Sequence, residues 1–175
     1  MVRVSGRAKE MKRICWMIVA ALLTACSPVP EFSNSQGQPV TLAQFAGKPL
    51  LVNYFAPWCA PCLRELPLLE TLAQEGKIAV VIISYDPATP AELGALASRH
   101  HIKVPLLIAD KEAHLPFSLP AGLPTSYLLD GEGRLQATLV GELDEQKIAA
   151  LKVRAAQFRQ RSSPPLARGS TDAPS

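Results

Sequence analysis

Cys59 and Cys62, in Trp58-Cys59-Ala60-Pro61-Cys62, are the residues of this chain best suited to chemistry. A thiolate is a strong nucleophile, and helix N-terminal amides with the positive end of the helix dipole stabilise it. The spacing predicts thiol–disulfide exchange if the pair sits where a strand turns into a helix. Cys59, at or just before the first turn, is then the attacking thiolate. Cys62, one turn inward and less exposed, attacks the mixed disulfide formed at Cys59 and releases the product. Pro61 is tolerated because first-turn amides have no intrahelical partner. Three other chemistries compete. A structural disulfide would close a very short loop and constrain the unfolded chain little. A zinc site needs four ligands, and His100-His101 begin 38 residues past Cys62. A copper-delivery pair would be spaced C-x-x-x-C. No metal and no cofactor is expected.

The surrounding pattern supplies the strand and the helix. Leu50 to Phe55 is a short, nearly continuous apolar run, as in a buried parallel strand. Ala60 to Gln74 follows with Leu63, Leu66, Leu69, Leu72 and Ala73 at helical spacing, closed by Gly76. Pro67 within it should bend the helix. Ile78 to Ser84 and Val104 to Ala109 read as further strands, with a helix from Pro90 to His101 between them. Asp110 to Leu119 is a short helix or a loop. Ser126 to Leu129 and Leu135 to Val140 are strands joined by the hairpin signal Asp130-Gly131-Glu132-Gly133. A last helix runs from Asp144 to about Phe158. The order predicts an α/β fold whose central mixed sheet carries helices on both faces.

The ends read differently. Met11-Lys12-Arg13, the apolar run Ile14 to Leu23 and the small residues before Cys26 describe a secretory signal peptide, with Met11 a second candidate start. Leu23-Thr24-Ala25-Cys26 resembles the lipobox of bacterial lipoproteins, which implies a lipidated Cys26 after removal of residues 1–25. Ser27 then points to the outer rather than the inner membrane in a Gram-negative host. Residues 26–38, rich in Pro, Ser, Asn and Gly, read as a tether, 39–158 as the domain, and 159–175 as a disordered tail. No apolar run reaches the roughly 20 residues a spanning helix needs. The chain has 175 residues and a formal charge of +3. Five basic residues and one acid lie in 1–25, which leaves 13 basic and 14 acidic groups in 26–175. The basic excess belongs to the leader, so a nucleic-acid role loses its support.

Asn53 to Pro67, with the second stretch Gly122 to Gly133, resembles the thioredoxin-fold proteins, most closely the TlpA/ResA-type periplasmic or membrane-tethered thiol–disulfide oxidoreductases. The resemblance covers about residues 36–158. It implies a thioredoxin-like fold and a cis Leu123–Pro124 bond facing the Cys pair, with the Leu123 backbone open to pair with a substrate peptide. Trp58 would shield the pair and offer an apolar contact face. Thioredoxins proper carry a buried Asp where Asn53 stands here, so another group or water must take the proton from Cys62. Glu65 is the closest carboxylate in sequence; it is either that acceptor or a solvated first-turn residue complementing the helix dipole. Ala60-Pro61 brings no charge to the thiolate, which predicts a reducing exchanger. In an oxidising compartment it would act on protein disulfides and take electrons from a DsbD-like membrane partner. The rivals are a disulfide-forming oxidase and a non-catalytic adaptor with a structural Cys pair. His100, His101 and His114 are expected in solvent.

Overall fold

A computed structural model describes residues 30–111 and 113–162. Seven strands form one sheet in the order β2-β1-β5-β4-β3-β6-β7. They are β1 (Phe32–Ser33), β2 (Pro39–Val40), β3 (Leu50–Phe55), β4 (Ala79–Ser84), β5 (Leu106–Ala109), β6 (Thr125–Leu129) and β7 (Leu135–Val140). The helices are α1 (Ala60–Gln74), α2 (Pro90–Arg99) and α3 (Glu145–Ser162), with a 3-10 turn over Leu42–Phe45.

The apolar run of β3 is buried along its whole length. It lies between β4, to which it is parallel, and β6, to which it is antiparallel. Alternate residues feed two cores. Leu51 and Phe55 pack with Leu69 and Leu72 of α1, Leu93 of α2, and Ile148 and Leu151 of α3. Leu50, Val52 and Tyr54 pack on the opposite face with Phe117 and Tyr127. The fold is the expected thioredoxin-like α/β arrangement around a mixed sheet. All three α-helices pack into the first core. The second is closed by the 3-10 turn, through Leu42 and Phe45, and by the segment carrying Leu115 and Phe117. Pro116 and Pro120 in that segment explain why it forms no helix.

Local signals set the boundaries. Thr89 caps α2 through a reciprocal bond with Glu92. The hairpin between β6 and β7 forms where expected, with Gly133 at φ +78°, a conformation that a side chain would strain. The helix expected to end near Phe158 runs on to Ser162, and β5 starts only after Pro105.

The tether reading needs correction. Residues from Glu31 onward belong to the fold. Phe32 is 2% exposed and sits in the second core. β1 pairs antiparallel with β5, Phe32 opposite Ala109, and the Asp110 amide donates to the Glu31 carbonyl at 2.8 Å. Because β3, β4 and β5 run parallel, the chain joins the fold at the sheet edge where those strands end. Cys26, the signal segment and residues 163–175 lie outside the described residues.

Candidate active site

The strand-to-helix placement that thiol chemistry needs is present. β3 ends at Phe55, the Cys59 amide donates to the Ala56 carbonyl at 3.1 Å, and Cys59 becomes the N-cap of α1. Its sulfur accepts from the Cys62 amide at 3.3 Å, taking up one of the donors a helix N-terminus leaves unpaired. Cys59 and Cys62 form a disulfide with S–S 2.06 Å and Cα–Cα 5.3 Å. Both are buried, Cys62 the more deeply.

Trp58, which directly precedes Cys59, is 64% exposed. Two residues just beyond β4 hold it. The indole Nε1 donates to Asp86 Oδ2 at 2.7 Å, and the ring meets Tyr85 edge-on. Neither residue stands out in the sequence. Their position immediately after a parallel strand, at the edge carrying the Cys pair, is the signal that could have found them.

Leu123–Pro124 is cis, directly before β6. Leu123 is half-buried and packs against the core that contains both cysteines. Among the described residues no backbone hydrogen bond engages its amide or carbonyl, whereas the Pro124 carbonyl accepts from the Gly141 amide at 2.8 Å.

Glu65 is not solvated. Its side chain is fully buried, one turn beyond Cys62 on the inner face of α1. Oε1 accepts from Asn53 Nδ2 at 2.7 Å and Oε2 from the Leu143 amide at 2.7 Å. Asn53 Nδ2 also donates to Ser126 Oγ at 3.0 Å, across the β3–β6 register that pairs these residues. Burial pushes the Glu65 carboxyl above its ordinary range, against the opposing pull of the Leu143 and Asn53 hydrogen bonds. His100 is also less solvated than expected: it is half-buried, with its ring edge-on to Phe55. His101 and His114 are exposed.

A buried disulfide at a helix N-terminus, next in sequence to an exposed indole, can exchange with the thiols or disulfide of another protein. The Redoxin family description matches residues 24–152 of this chain. The chain belongs to the Redoxin family. Among its relatives, the thioredoxin-like protein YneN of Bacillus subtilis (strain 168) is 32% identical over 125 residues, 68% of this chain and 73% of that one. The thiol–disulfide oxidoreductase ResA of Bacillus anthracis is 28% identical over 124 residues, covering 68% of this chain and 71% of its own. The crystal structure of a thioredoxin-family thiol:disulfide interchange protein from Chlorobium tepidum TLS superposes with a TM-score of 0.60 at 25% identity, over 73% of this chain and 94% of that one. This Redoxin member is a thiol–disulfide oxidoreductase with protein thiols as its substrates, and Cys59-Cys62 is the pair it carries.

The buried carboxyl makes a stability prediction for this Redoxin protein. A carboxyl whose folded value lies above its unfolded value holds its proton more tightly when folded. Its stabilisation is therefore complete below the unfolded value, about 4.3, and is lost as pH rises through the raised folded value. The loss is about 1.4 kcal/mol for each unit between the two. Glu65→Gln keeps an oxygen for the Leu143 amide and removes the titration. Urea midpoints taken from pH 4 upward should fall more steeply for the natural chain than for this variant.

Proposed function

We propose that this protein reduces disulfides in extracytoplasmic proteins. The Cys59 thiolate attacks a substrate disulfide, forms a mixed disulfide and releases one substrate thiol. Cys62 gives its proton to Glu65 and attacks the Cys59 sulfur, which forms the Cys59–Cys62 disulfide and releases the second thiol. Atoms and electrons balance: the substrate gains two electrons and two protons, and the enzyme pair loses them. A membrane electron donor of the DsbD type would restore the dithiol. Trp58 offers an apolar platform for the substrate chain, and the unpaired Leu123 backbone offers strand-like hydrogen bonds to it. The lipobox-like segment supports anchoring through Cys26 on the periplasmic side, with the outer membrane favoured by Ser27.

The observation that carries the reading is the Cys59 sulfur at the N-terminus of α1, accepting from the Cys62 amide while only Ala60 and Pro61 stand between the cysteines. The site stabilises a thiolate by backbone alone, without the added charge that makes a strong oxidant. Cys62→Ser tests the exchange directly. It should accumulate mixed disulfides on Cys59, visible as thiol-reversible adducts on non-reducing gels. A trap that stays empty would favour the adaptor reading. Equilibration of the natural chain with glutathione buffers tests the direction. A potential near that of strong oxidants, about −120 mV, would make the protein an oxidase instead.

A further inference from the structure

Asn53 Oδ1 is buried and has no hydrogen-bond partner, while Nδ2 of the same amide makes two bonds. A buried amide oxygen left unpaired costs free energy and calls for an explanation. The explanation lies in what Glu65 demands. An ionised carboxylate only accepts hydrogen bonds, so the amide presents Nδ2 to it and leaves Oδ1 idle.

Protonation of Glu65 inverts that demand. Oε2 faces the Leu143 backbone amide, a fixed donor, so this oxygen must remain an acceptor. The proton therefore belongs on Oε1, where it meets a second donor, Asn53 Nδ2. A half-turn of the Asn53 amide removes the conflict. Oδ1 then accepts from the Glu65 hydroxyl and from Ser126, whose hydroxyl both donates and accepts and needs only to rotate. The orphaned oxygen gains two partners and Nδ2 moves to the unpartnered place that Oδ1 held, so the turn is driven by relief of the donor–donor clash at Oε1 and not by a net gain of bonds.

We propose that Asn53 is a positioning residue whose side-chain amide turns over when Glu65 takes the proton released by Cys62. It thereby governs the pH range in which Glu65 can accept that proton. The inference rests on the reading of Glu65 as proton acceptor. In the step concerned, the Cys62 S–H bond breaks and an O–H bond forms on Glu65. The Cys62 thiolate joins the Cys59 sulfur, and the substrate sulfur leaves as a thiolate that the same proton, or one from water, neutralises. The charged groups acting on Glu65 are Glu142 and Lys147, from the segment before α3 and its first turn. Glu142 is itself paired with Arg64 at 2.6 Å. β3 and β6 present only Asn53 and Ser126, neither of which titrates, so the amide is the element there that can respond.

The test is a stopped-flow reaction of the reduced full chain with 5,5′-dithiobis(2-nitrobenzoate). Attack by Cys59 releases the first nitrothiobenzoate and resolution by Cys62 the second. In the natural chain the second phase should slow as pH falls through the titration of Glu65. Asn53→Leu deletes the stronger bond to the charged form together with the weaker one to the protonated form, so this acid limb should move up by the difference, about half to one pH unit. Glu65→Gln should erase it. A second measurement needs no change at Asn53: the side-chain amide cross-peaks of Asn53 in the unsubstituted chain should shift through the same midpoint, and in Glu65→Gln should sit at the low-pH position throughout. An acid limb unmoved in Asn53→Leu, or amide cross-peaks indifferent to pH, overturns the inference. An acid limb that persists in Glu65→Gln overturns the proton-acceptor reading beneath it.

Discussion

Cys59→Ala is expected to lower disulfide-exchange activity by more than about 10³-fold, to the level of the uncatalysed reaction. The attacking sulfur is covalently part of the pathway, so no neighbouring group can replace it. Cys62 is 1% exposed and lies a turn inside α1, out of reach of a bulky substrate. Cys62→Ala differs in kind: it should still perform the first attack once per molecule and then stop. The fold should survive both changes. The disulfide spans a sequence separation of only 3, for which the chain-entropy model gives about 2 kcal/mol. A pair that merely stapled the chain would show the reverse pattern, with reduced stability and unchanged behaviour towards substrates. Turnover of a disulfide substrate alongside urea unfolding of the same samples separates the two.

Phe32→Ala should destabilise the protein by about 3–5 kcal/mol, the range for emptying a buried aromatic site. That is a large part of the roughly 5–15 kcal/mol a domain usually has. The ring packs among Leu50, Val52, Tyr54 and Phe117, and its strand of two residues has little else to hold it against β5. Were Phe32 part of a solvated tether, the change would stay within about 0.5 kcal/mol. The urea midpoint decides between these values, with an unchanged slope showing that the unfolded state is the same.

Phe32 also shows where the sequence stopped being legible. Its neighbours Pro30, Ser33, Asn34, Ser35 and Gly37 are linker-like residues, and the burial comes from pairing with Ala109, far along the chain. Glu65 hid for the same reason. Its partners are Asn53, 12 residues away, and the Leu143 amide, 78 residues away, and no local pattern announces either. Asp86 holds Trp58 across 28 residues. What could be read was local. The Cys pair, the apolar strand before it and the periodic helix after it carry their own geometry, as does the Asp-Gly hairpin. The cis bond at Pro124 came from likeness to a family, and the composition of the segment would not have given it.

The point where the chain joins the fold, beside the end of β5, has a consequence for where this enzyme works. Four peptide units separate Cys26 from Pro30, at most about 14 Å when fully extended. With Cys26 acylated as proposed, so short a leash allows no free roaming above the bilayer. The described chain begins at the sheet edge that bears Trp58 and the two cysteines, so an anchor at Cys26 would turn the redox face toward the lipid headgroups rather than away from them. Substrates would be met at the membrane surface, within reach of a membrane-embedded donor, and a longer leash would change which proteins the pair can reach without altering its chemistry.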